Sequence, residues 1–319
     1  MLKNKLPFTL GYELTAVYRH YRHDKYVVCG KKRVNTGHCN HKTTQKNKKV
    51  SGLLVSFLRK KGYKMPHSFL NWRQKRTKKV YVDGHCIEIP SPVFKTVEDA
   101  IKFYDICWSF LKKRDFQPKH NLTVCGGNHL HFGITDVSWI RAIFRDLISR
   151  HYITWVFTEP DDTDSCDNFN NNLMWFIERH CFGAIQEEQN QNNIINLLFT
   201  NKNIDITKID DNKEQNICIN NKGKTLEFRC VEAPRNRQEF LEQLEFFVAY
   251  VLWIKERMKE KQFYAPKLLS RREIQRLNPQ TAIKRFNQLL DKLGLDKEKY
   301  SKYIKRNLLP RWELDRERT

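Results

Sequence analysis

The residues best suited to chemistry fall in four short stretches, each with one or two polar groups among apolar neighbours. Glu13 stands between Tyr12 and Leu14, and Glu88 between Ile87 and Ile89. His129 and His131 flank Leu130, while Glu227 and Arg229 flank Phe228. Several carboxylates with an imidazole suit Mg²⁺ or Mn²⁺ better than zinc, whose sites favour Cys and His. An Arg beside them suits a phosphate, because its guanidinium fork matches phosphate oxygens. Together these are the parts of a phosphoryl-transfer site on a nucleotide, where cations neutralise the phosphate oxygens. No Gly-rich P-loop or dinucleotide fingerprint occurs in the chain, so any nucleotide would be held by the sheet itself.

The elements that must position these residues are strands. Phe8, Leu10, Tyr12, Leu14, Ala16 and Tyr18 alternate with Thr9, Gly11, Glu13, Thr15 and Val17, which predicts a strand with a packing face and a polar face carrying Glu13. A second strand is expected over 80–89, with Glu88 opposite Ile87 and Ile89, stopping at Pro90-Ser91-Pro92. A third over 122–133 puts Leu122, Val124, Leu130 and Phe132 on one face and Cys125, His129 and His131 on the other. A fourth over 225–231 separates Leu226, Phe228 and Cys230 from Thr225, Glu227 and Arg229. Such strands suit an antiparallel sheet with one face covered and one open. The cover is predicted from apolar stripes at helical spacing over 97–111, 137–148 and 238–258. The expected class is α+β, with helices on one face of the sheet.

The segments Gly11-Tyr12-Glu13, Glu88-Ile89-Pro90-Ser91-Pro92, Gly127-Asn128-His129-Leu130-His131-Phe132 and Thr225-Leu226-Glu227-Phe228-Arg229 resemble, in order and alternation, the phage and bacterial amidoligases. These are carboxylate–amine ligases similar to glutamine synthetases and glutamate–cysteine ligases. The resemblance implies a curved antiparallel sheet forming an active-site funnel, and a reaction in which ATP phosphorylates a carboxylate that an amine then attacks. It implies that Glu13, His129 and Glu227 hold one divalent metal, that Glu88 helps to hold a second, that Arg229 meets the transferred phosphate, and that His131 lies near the nucleotide. One position departs from the family pattern: Thr15 stands where a second acid is usual. Asp83, or the cluster Glu159, Asp161, Asp162, Asp164 and Asp167, are the candidates to supply that charge, the cluster reading first as a solvated loop around Pro160.

Charge adds a separate reading. The 319 residues carry a net charge of +22, of which residues 16–82 contribute +18 and residues 251–319 contribute +10, while residues 83–250 contribute −7. The first basic block includes Arg73, Arg76, Lys78 and Lys79 and is interleaved with Tyr63, Phe69 and Trp72. This is a composition suited to phosphate contact and base stacking, and equally to a solvated surface insertion. The C-terminal block mixes Lys with Glu and Asp, as over 297–305, and reads as a solvated helix face. The expected organisation is a catalytic domain over 1–262 with a basic insertion at about 20–79, then a basic helical extension over 263–319.

The 40% hydrophobic content supports a core and argues against disorder. No apolar run is long enough to span a bilayer and no secretory signal is recognisable. A cytoplasmic protein, of the host cytoplasm or a virion if phage-encoded, is the expectation. Nine Cys at irregular spacing read as reduced thiols. Cys29, His38, Cys39 and His41 match no paired zinc spacing and read as free thiols and imidazoles. The rival to a ligase is a nucleic-acid-binding or virion-associated protein that keeps the fold without turnover. A third reading joins the two, a ligase acting on a polymer that docks on the basic block.

Overall fold

The computed structural model describes residues 5–18, 41–65, 81–83, 86–118, 129–150, 152–158, 217–220, 225–229, 231–260 and 278–310. The chain mixes helix with an open antiparallel sheet and divides into two compact units. One comprises Met1–Leu130 and Ala233–Leu241, the other His131–Glu232 and Glu242–Thr319. Among the described residues no helix is long and apolar enough to cross a membrane.

In the first unit, β1 (Thr9–Tyr18) pairs antiparallel with β3 (Cys86–Pro90), which pairs with β2 (Tyr81–Asp83). The expected single strand over 80–89 is thus two antiparallel strands, with Asp83 opposite Cys86. The Asp83-Gly84 pair is the short-hairpin signal for that reversal. Leu10, Tyr12, Leu14 and Ala16 are buried, as the alternation predicts. They face α2 (Val97–Lys112), capped by the Thr96 side chain, which accepts from the Asp99 amide. The Tyr12 hydroxyl donates to the Ala100 carbonyl at 2.7 Å, and its ring packs edge-on to Phe240 at 5.0 Å. Burial raises the Tyr12 hydroxyl well above its ordinary pKa, so at neutral pH it is a firm donor that fastens β1 to α2. β4 (Phe116–Gln117) pairs with the end of β1.

The basic block contains core. α1 (His41–Lys60) buries Val50, Leu54 and Leu58 at i, i+4, i+8, and its Phe57 stacks on Phe110 at 4.9 Å. It ends at Gly62, whose φ of 86° is one that L side chains resist; the Gly62 and Tyr63 amides return to Arg59 and Leu58 carbonyls.

β5 (His129–Gly133) passes from the first unit into the second. In the second unit, β6 (Ile217–Asn220) pairs antiparallel with β7 (Thr225–Phe228). α3 (Val137–Ser149) is capped by Asp136, and its Trp139 indole donates to the Val251 carbonyl at 3.0 Å. α4 (Tyr152–Phe157) ends in Phe157, whose ring meets Phe246, Phe247 and Tyr303. α5 (Arg237–Arg257) forms where a helix was expected over 238–258, but it buries Glu239, Glu242 and Gln243 along with Phe240, Leu244 and Phe247, so it is buried well beyond a single apolar stripe. α6 (Pro279–Leu293) runs from an Asn278 cap to left-handed Gly294. α7 (Lys297–Tyr303) continues into a π-helical turn over Ile304–Leu308. These C-terminal helices are only half solvated. Tyr300 and Tyr303 are fully buried, donating to the Glu242 carbonyl and carboxylate at 3.0 Å each.

Candidate functional site

The first group of candidate residues belongs to the first unit. The register sets Thr15 directly opposite Glu88 and Glu13 opposite Pro90. Side chains opposite one another share a face, so Glu88 stands beside Thr15 and diagonal to Glu13, within reach of long side chains. The two carboxylates expected on separate strands therefore share one face, with Ile87 and Ile89 fully buried on the other. Where the strand meets two prolines, the Ser91 hydroxyl accepts from the Tyr12 amide at 2.9 Å and the Ser91 amide donates to the Tyr12 carbonyl at 2.8 Å. That double bond carries the pairing past Pro90 and Pro92 and fixes the backbone at Glu13.

His129 Nδ1 lies 3.0 Å from Glu13 Oε2, with the imidazole 17% and the carboxylate 30% exposed. An ionised carboxylate only accepts, so in this contact Nδ1–H is the donor. Glu13 thus orients His129, as a carboxylate does behind a metal-ligating imidazole. Thr15 is 5% exposed, so this end of the polar face is covered rather than open.

The second group belongs to the second unit. Glu227 is 4% exposed, which the alternation did not foresee. Arg229 Nη1 donates to its Oε1 at 2.6 Å, and His131 Nδ1 lies 3.8 Å from its Oε2. His131 Nδ1 is also 3.4 Å from the Thr225 hydroxyl. A carboxylate so buried needs a cation or strong donors, and Arg229 supplies both. The strand below is fixed from its apolar side, where Phe228 meets Phe132 edge-on at 5.3 Å and Phe247 at 4.8 Å. Thr225, on the polar face of β7, sets its hydroxyl beside His131, a contact that alternation alone does not indicate.

The donor types suit Mg²⁺, but among the described residues no three of His, Cys, Asp and Glu gather to hold a metal ion. Glu13 is engaged with His129, and Glu227 with Arg229. In this arrangement the described side chains do not form a metal cage. Residues 159–167, Cys29, His38, Cys39, Cys125, Cys230 and the side chains of His41 and Asp83 lie outside the described residues. No family model matches the chain, and no curated protein matches it.

Proposed function

We propose that the chain is an ATP-dependent carboxylate–amine ligase with a glutamine synthetase-like sheet curved into a funnel. The observation that carries the reading is the buried Glu227 carboxylate held between Arg229 and His131, on the strand whose Thr-Leu-Glu-Phe-Arg sequence resembles the amidoligases. A guanidinium has five N–H donors, so the bond from Nη1 to Glu227 leaves others for a phosphate. In the reaction a substrate carboxylate oxygen attacks the γ-phosphorus of ATP and ADP leaves with the electron pair of the broken P–O bond. An amine nitrogen then attacks the acyl carbon, phosphate leaves, and the nitrogen gives up a proton. Arg229 and His131 meet the phosphate oxygens, placing positive charge between two anions that otherwise repel.

The test is ATP binding by calorimetry and ADP release in a screen of carboxylates and amines, with and without Mg²⁺ or Mn²⁺. Arg229→Ala and His131→Ala are expected to lower turnover by about 100-fold or more, the usual effect of removing one charge-stabilising group. Glu227→Gln tests the orientation of Arg229 with little change in volume. Absence of ATP binding by the unaltered protein in both metals ends the ligase reading.

A further inference from the structure

The exposed face of α1 is the most one-sided charged surface among the described residues. No Asp or Glu occurs between Asp24 and Asp83. Lys48, Lys49 and Lys60 lie on the exposed side of α1, opposite Val50, Leu54 and Leu58, and Lys61 and Lys64 follow in the exposed turn after it. None of these five makes an ion pair among the described residues. Three Lys of the C-terminal helices behave otherwise: Lys297 pairs with Asp291, Lys299 with Glu245 and Lys302 with Glu242. A generic solvated helix intersperses its charges in that second manner.

The helix dipole accounts for Lys60 in the last turn of α1 but not for Lys48 and Lys49. Its first turn holds no acid, whereas α2 begins with Glu98 and Asp99, and cations in the N-terminal half of a helix gain nothing from the dipole. From Lys48 to Lys60 is about 18 Å along the axis, too far for one phosphate or nucleotide to bridge. The face fits an anion that repeats.

We infer that this face of α1 docks the phosphate backbone of a double-stranded nucleic acid. Insertion into a membrane is disfavoured because the apolar stripe of α1 is already buried in its own unit, leaving Leu53 as its exposed large apolar side chain. Base stacking is disfavoured because the Tyr63 ring packs edge-on to Phe103 at 4.9 Å and Phe57 is stacked on Phe110. What remains is sequence-independent contact to phosphates. The inference stands independently of ligase activity.

The experiment uses the full chain and fluorescence anisotropy with two short DNA duplexes of unrelated sequence, titrated across salt concentrations. Five lysine–phosphate contacts give a slope of log K against log salt of about −4.5, equivalent to about 500-fold weaker binding between 50 and 200 mM salt. Replacing Lys48, Lys49, Lys60, Lys61 and Lys64 together by Gln should remove about that much slope, equally for both sequences. The matched control replaces Lys259, Lys284, Lys292, Lys297 and Lys305 by Gln, removing the same charge from the second unit; it should retain most of the affinity. Circular dichroism confirms that both variants fold. The inference is overturned by absence of binding at low salt, or by equal losses in the two variants. It is also overturned if polyglutamate or anionic phospholipid vesicles bind as tightly as the duplex.

Discussion

Asp146 offers the sharpest test of how the second unit is held together. It is fully buried in α3, and its Oδ2 accepts from Arg150 Nε and from the Tyr250 hydroxyl, each at 2.8 Å. Burial alone would lower the Arg150 pKa, but Asp146 with Tyr152 and Tyr250 outweighs it and holds the guanidinium above its ordinary value. Asp146→Asn preserves volume and an acceptor but leaves Arg150 a buried cation without its counter-ion. Removing one partner of such a pair costs about 3–5 kcal/mol, or roughly 6–20 °C in melting temperature for a domain of 150–250 residues. Tyr250→Phe removes one hydrogen bond to a charged acceptor and should cost about 1.5–3 kcal/mol. The decisive variant is the double change Asp146→Asn with Arg150→Met, which deletes both charges and should recover most of the loss. The assay is urea unfolding followed by circular dichroism and tryptophan fluorescence. If Asp146→Asn costs under about 1 kcal/mol, or if the double variant is no more stable than the single one, the pair is not acting as a buried ion pair and the reasoning fails.

Alkaline titration should destabilise both units. Burial raises the Tyr12, Tyr104, Tyr152, Tyr250 and Tyr300 hydroxyls above their ordinary pKa. The unfolded chain therefore loses these protons near pH 10 while the folded chain keeps them, and stability falls as pH rises beyond that point by about 1.4 kcal/mol per unit for each tyrosine. The tyrosinate absorbance of these five should appear together with loss of circular dichroism; ionisation of all twelve tyrosines while the circular dichroism persists would contradict this. Ser91→Ala removes the acceptor of the Tyr12 amide and should cost about 1–3 kcal/mol in unfolding experiments. A cost near zero would show that the motif around Ser91 does not fix the backbone at Glu13.

Period-two alternation is what made β1, β5 and β7 legible, since Leu10, Tyr12 and Leu14, Leu130 and Phe132, and Leu226 and Phe228 all prove buried as expected. Alternation assigns a face but not what covers it. Glu227 and Thr15 were placed correctly on the polar face, yet both are buried, because burial there depends on segments distant in sequence. α1 was hidden by its own lysines. Val50, Leu54 and Leu58 have helical spacing, but the surrounding charge made the stretch read as surface. The C-terminal block misled in the same way, since Tyr300 and Tyr303 anchor it through Glu242 amid alternating Lys and Glu. β6 has only four residues in an Asn- and Lys-rich region, too few to show a period.

The buried carboxylates differ in what they join, and the difference separates architecture from chemistry. Asp146 reaches Tyr250, 104 residues away, and Glu242 reaches Tyr303, 61 residues away. Glu232 is paired with Arg306, which burial lowers only to about pKa 10, still cationic at neutral pH. Each of these ties separate helices or strands, so losing it frees an element of the fold. Arg229, by contrast, pairs with Glu227 two residues back on the same polar face, and the strand beneath is already fixed by Phe228. Its guanidinium is 23% exposed, which suits the phosphate contact proposed for it. The bond between Arg229 and Glu227 lies within one short stretch of chain, beside His131 and Thr225, so breaking it costs the fold less than breaking the Asp146 network. That is the property the phosphate contact proposed for Arg229 requires and the Asp146 network lacks.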